Sequence, residues 1–215
     1  MNFDYNWMLK SIPAVVVGLV IHELAHAYTA YRLGDSTAKD EGRITLNPLK
    51  HLEPLGFFLI VIAGFGWAKP VLFNPENLKN KHRDEILISL AGPFSNFLLG
   101  ILFMLMARAF YFFEFFNSTD TGLFIVNLVI LWGVINFGLF IFNLLPIPPL
   151  DGSHLYTTFL KQTNPRFFQR LHQFSTWGLL IIIIIQNNSD IEILPFGRLV
   201  KFITKLSIDI LRFNA

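Results

Sequence analysis

Not one of the 215 residues is a cysteine, which removes disulfides and thiolate ligands from consideration. Any metal site must then be assembled from histidine and carboxylate. Charge is also scarce: 15% of residues are Asp, Glu, Lys or Arg, against 53% hydrophobic. A soluble domain of this length carries more charge. Internal repeats and Ser- or Gly-rich linkers are missing, and no appended soluble domain is expected. The opening MNFDYNWMLK has no basic region and no small-residue cleavage site, so the first apolar run is not expected to be a cleaved signal. Lys and Arg are absent from 111–122 and 186–197, where Glu114, Asp120, Asp190 and Glu192 are present.

What fills the space is hydrocarbon. The chain has 24 phenylalanines, and several windows reach the roughly 18 to 20 apolar residues that a bilayer span needs. The pattern predicts an all-α polytopic membrane protein with about four full transmembrane helices, over 8–31, 86–110, 123–145 and 171–185. Ala91-Gly92-Pro93 suggests a break near the start of the second. The apolar stretch 54–67 is too short for a comfortable span and suits a re-entrant element. Before it, 42–47 alternates enough for a short β-hairpin. Near the end, Arg198, Lys201, Lys205, Asp209 and Arg212 form one polar stripe, which predicts a C-terminal amphipathic helix in the interface. The whole, 1–215, reads as one integral-membrane domain with a core at 8–152 and C-terminal helices at 153–215. Basic residues gather in 32–53, 69–83 and 161–170. By the positive-inside rule those segments face the cytoplasm and the two Lys- and Arg-free stretches face outward.

Within the first span stands His22-Glu23-Leu24-Ala25-His26, directly after the uncharged run IPAVVVGLVI. On a helix, His22 and His26 project from one face. Their imidazoles can share one Zn²⁺, and Glu23 can reach a water beside it. Two histidines and a carboxylate are expensive inside a bilayer, so function is the default reading; chance occurrence of a short pattern is the alternative. A catalytic zinc site usually has three protein ligands. Asp151 is the one carboxylate in the apolar stretch that begins at Gly122. It falls at a similar depth to the histidines, though an Asp-Gly beside prolines also serves as an ordinary helix cap.

Taken together, HELAH, LGDSTAKDEGRITLNPLKHLEPLG, GWAKPV, FNP, SLAGPFSNF and NLLPIPPLDG resemble the site-2 protease family of intramembrane zinc metalloproteases. The small prokaryotic branch without PDZ or CBS domains is the most similar. The resemblance implies that His22, His26 and Asp151 hold one Zn²⁺ and that Glu23 is the general base. It also implies that Gly92 and Asn96, a G-x-x-x-N match, and Asn143 line the site or hold substrate backbone. Glu53, Leu72-Phe73 and Ser153 depart from that branch, none at an implied ligand.

The expected activity is hydrolysis of peptide bonds in or near transmembrane segments. Zinc would acidify water and polarise the scissile carbonyl, while Glu23 moved the proton to the leaving amine. An edge of the 42–47 hairpin could pair with an unwound substrate. The expected partners are the lipid bilayer and a membrane-anchored protein, with no nucleic acid. The expected place is the plasma membrane of a prokaryote, with the site toward the cytoplasm. A non-catalytic zinc-binding scaffold is the competing reading, against which the presence of Glu23 argues. A metal-ion transporter is a second, disfavoured because the polar residues gather near one face. His51 reads as a surface group or a gate, and His82, His154 and His172 as solvated or interfacial.

Overall fold

A computed structural model of the chain describes residues 5–63, 66–188, 193–194 and 196–211. Asp190, Glu192 and Arg212, which entered the charge arguments above, lie outside the described residues. The helices in order are α1 (Tyr5–Leu33), α2 (Thr37–Asp40), α3 (Pro54–Ala63), α4 (Lys81–Phe110), α5 (Glu114–Ser118), α6 (Asp120–Leu144), α7 (His154–Thr163), α8 (Pro165–Asn188) and α9 (Phe196–Leu211). Short 3-10 turns occupy Pro48–Lys50, Pro75–Asn77 and Asp151–Ser153.

Three helices among the described residues are long and apolar enough to cross a membrane: Met8–Leu33 of α1, α4 and α6. At 1.5 Å per residue even the shortest of them, α6, reaches about 37 Å. The chain is therefore an all-helical, multi-pass membrane protein. Helix α4 packs against both α1 and α6, and α1 also touches α6. Toward the α4–α6 connection these contacts are apolar, with Phe103, Ala107, Val126 and Val129 buried together. The polar contacts described below lie toward the other end. Local chemistry sets the ends: Gly34 at φ +113° lets Asp35 N–H close back on Ala30 O and terminate α1. Asn80 and Thr119 accept from the first turns of α4 and α6.

Four details differ from expectation. The fourth span over 171–185 is not among the three. Helix α8 is long, but Arg166, Gln169, Arg170, His172 and Gln173 occupy its first half, leaving an unbroken apolar run only at 179–185. Helix α4 runs unbroken through Gly92-Pro93, because one lost backbone bond is tolerated in a helix packed on both sides. The hairpin over 42–47 does not form, and no strand appears among the described residues beyond one isolated bridge. Side chains have taken its backbone partners: His51 Nε2 meets Thr45 O at 2.7 Å, and Asn47 N–H donates to Thr45 Oγ1. Pro48 then supplies no N–H at all. Finally, His51 is fully buried rather than at the surface.

Helix α3 has 10 residues, about 15 Å, too short to cross. Glu53 caps it by accepting from Gly56 N–H. Its flanks meet side by side: Leu52 and Ala68 form an antiparallel bridge, and Lys69 N–H donates to His51 O at 2.7 Å.

Candidate metal centre

Helix α1 presents His22 and His26 one turn apart, both buried, with their Nε2 atoms 3.0 Å apart. Asp151 arrives from the turn after α6, its Oδ2 3.1 Å from His22 Nε2 and its Oδ1 3.5 Å from His26 Nε2. That turn is held from both sides. Ser153 Oγ donates to Leu150 O, and Gly152 lies so close to α6 that a Cβ would stand 2.2 Å from Leu144 O. This is why glycine follows the aspartate.

The outer edges of both imidazoles are already committed. His26 Nδ1 sits 2.7 Å from Ile88 O, which can only accept, so Nδ1 carries the hydrogen. His22 Nδ1 sits 2.6 Å from Asn96 Oδ1. Asn96 must point that oxygen at His22, because its Nδ2 faces two acceptors, Gly18 O and Asn136 Oδ1, each at 3.1 Å. Both imidazoles therefore turn Nε2 toward each other and toward a carboxylate, the arrangement that a shared cation would satisfy. All three ligand atoms lie within 4.8 Å of one another, and neighbouring ligands of a tetrahedral zinc are about 3.3 Å apart. Gly92 completes the hollow: a Cβ there would lie 2.4 Å from His26 Nε2 and 2.6 Å from His22 Nε2. The donor set and the space fit zinc.

Glu23 is buried beside this trio, and its Oε2 accepts from Val71 N–H at 3.0 Å. The same oxygen is 4.0 Å from Arg43 Nη2, which donates to Lys69 O at 2.5 Å. Arg43 is 2% exposed, and its Nε and Nη1 find no acceptor among the described residues. A cavity of about 460 Å³ adjoins them, lined by Glu41, Arg43, Leu49, Lys50, Lys69 and Leu72.

Of the residues the sequence singled out, His22, His26, Asp151, Glu23, Gly92 and Asn96 meet here. Asn96 is fully buried and places its amide against His22, Gly18 and Asn136. Asn143 stands apart, donating to Leu139 O on its own helix at 3.0 Å. His154 is half-buried rather than solvated, and burial, with Lys161 adding to it, pushes it down to about 4. Two residues were missed. Arg43 fell only within the basic segment 32–53, and Asn136 was not singled out. The available signal was that Asn136, like Asn127 and Asn143, stands in the apolar run of α6, a costly placement that asks for a partner.

Residues 116–185 match the model of peptidase family M50. Over 183 residues the chain is 39% identical to YwhC of Bacillus subtilis, covering 82% of this chain and 81% of that protein. It is 32% identical to Rip2 of Mycolicibacterium smegmatis, over 81% of this chain but 65% of that longer protein. MJ0611 of Methanocaldococcus jannaschii is 30% identical over 71% of each chain. All three carry zinc metalloprotease names. No solved structure matches. By these similarities the chain belongs to peptidase family M50, the site-2 protease family of zinc metalloproteases.

Proposed function

We propose that this chain is an intramembrane endopeptidase, cutting peptide bonds in or near the transmembrane segments of membrane-anchored proteins. The observation that carries the reading is the convergence of two imidazole Nε2 atoms and a carboxylate inside a three-helix membrane bundle, with Glu23 next to them. His22, His26 and Asp151 would hold zinc, which when bound supplies Lewis acidity toward water and the scissile carbonyl. Glu23 takes the proton of the attacking water and returns it to the departing amine, so that one water is consumed per bond cut. Segment 69–71, fastened by Arg43, holds one Glu23 oxygen in place. Asn143, whose amide donates to Leu139 O on its own helix turn, would bind the backbone of an unwound substrate.

Basic residues on both flanks of α3 support a cytoplasmic site with 54–67 entering the membrane and returning. The closed neck at 51–52 and 68–69 agrees with that path. The apolar half of α8 is then a fourth insertion into the bilayer.

Two measurements test this. Purified protein should contain about one zinc per chain, and His26→Ala with Asp151→Ala should abolish it; retained zinc in the double variant would sink the ligand assignment. When co-expressed with single-span membrane proteins of the same cell, the native chain should cleave at least one. Glu23→Gln should keep its zinc and lose on the order of 10² to 10⁴ in rate. Near-native turnover by Glu23→Gln would remove Glu23 as the base.

A further inference from the structure

Resting on the zinc reading above, we propose that Asn136 is a positioning residue of the metal centre. By fixing the amide of Asn96, it holds His22 in the form whose Nε2 is free to bind metal. The two asparagines are fully buried, one on α6 and one on α4, and they meet against Gly18 of α1.

The argument is a chain of forced choices. Trp132 O can only accept, so Asn136 turns Nδ2 toward it at 3.0 Å. That leaves Asn136 Oδ1 as an acceptor facing Asn96, which must answer with its NH₂ group. The second hydrogen of that group goes to Gly18 O. Only Oδ1 of Asn96 then remains for His22, and an oxygen can only accept, so the imidazole carries its hydrogen on Nδ1. Nε2 is the nitrogen turned toward His26 and Asp151.

Space has been made for this arrangement. A Cβ on Gly18 would stand 2.8 Å from Asn136 Oδ1 and 2.7 Å from Leu139 Cδ1. The starting point is itself fixed, since Trp132 Nε1–H donates to Lys10 O at 2.9 Å. Remove Asn136, and an Asn96 amide flip forfeits one contact instead of two. The flipped amide would offer N–H to His22 Nδ1, moving the imidazole hydrogen onto Nε2, where it blocks the metal.

Buried asparagines also serve as plain glue between membrane helices, and the test separates the two roles. Zinc affinity is measured in detergent by competition with a chromophoric chelator. Asn136→Leu should bind zinc about 10-fold more weakly or worse, in the range for loss of an outer partner of a ligand; Asn136→Ala makes the same deletion should leucine prevent folding. Asn136→Asp should stay within about threefold of native. Burial keeps that carboxyl protonated, so its O–H donates to Trp132 O while its C=O accepts from Asn96. Phe103→Leu, in the distant apolar cluster, should lower thermal stability without moving zinc affinity.

The second readout needs no metal. In zinc-free, ¹⁵N-histidine-labelled protein, His22 should carry hydrogen on Nδ1 in the native chain and in Asn136→Asp, and a mixture of forms should appear in Asn136→Leu. Native affinity and a native spectrum in Asn136→Leu would overturn the proposal. So would an affinity loss that Phe103→Leu reproduces at equal destabilisation. A native protein that takes up no zinc overturns the functional reading instead, and the zinc-free spectrum still decides the role of Asn136.

Discussion

Gly92 and Arg43 show how single side chains, or their absence, shape the centre. At Gly92 the missing Cβ is the space in which the histidine nitrogens converge. Gly92→Ala should therefore lower bound zinc and cleavage together, by about tenfold or more, while the helices still assemble. Metal content, cleavage rate and circular dichroism on one preparation check this; full zinc in Gly92→Ala would show that the ligands can retreat. Arg43 neighbours Glu23 rather than the three candidate ligands. Its donation to Lys69 O places Val71 N–H against Glu23. Arg43→Met keeps the bulk and removes the fork. It should retain zinc and reduce the cleavage rate by about tenfold, about 1.4 kcal/mol of barrier. A fall in zinc alongside the rate would place Arg43 with the ligands instead.

Among elements, the junction between α1 and the segment before α4 depends on Asp35, which is fully buried. Its carboxylate accepts from Thr37 Oγ1, Asn74 N–H and Asn77 Nδ2. Burial alone would raise its pKa; the hydrogen bonds from Asn77, Thr37 and Asn74 outweigh it, and the net shift is downward from 3.8. A carboxylate with a lowered folded pKa stabilises above its unfolded value and loses that contribution as pH falls through the folded one. Asp35→Ala should therefore cost about 2–3 kcal/mol at neutral pH, by stranding buried donors. The gap from native should shrink below about pH 4, as read by thermal unfolding in detergent across pH; a gap that is constant with pH would exclude the ionised carboxylate as its source.

The same elements show what a linear reading can reach. HELAH is a local pattern, and Asp151 is conspicuous as a lone acid in hydrocarbon, so both are visible without coordinates. The hydrogen that fixes His22 is set by Asn96, 74 positions away, and Asn96 in turn by Asn136, 40 further on. No periodicity encodes such a contact. At 42–47 the alternation was genuine, but a strand needs free backbone partners, and His51 had taken Thr45 O. The short apolar stretch at 54–67 is legible as a question of length against bilayer thickness, and its helix α3 has 10 residues.

For the whole molecule, the lack of native cysteine makes topology directly measurable. Single cysteines at positions 50 and 79 should react with an impermeant probe from the same side of the membrane, and one at 120 from the opposite side. Labelling of 50 and 79 from opposite sides would make 54–67 a true span. The neck that joins His51–Leu52 to Ala68–Lys69 has a further, entropic consequence. It ties off residues 53–67 as a closed loop, and the cost of closing a flexible loop rises by only about 0.6 kcal/mol for each doubling of its length. The excursion can therefore grow or shrink with little penalty to the rest of the fold, while Lys69 and Val71, just beyond the knot, keep their places against Arg43 and Glu23. Chain length varies most cheaply here, beside the centre yet insulated from it.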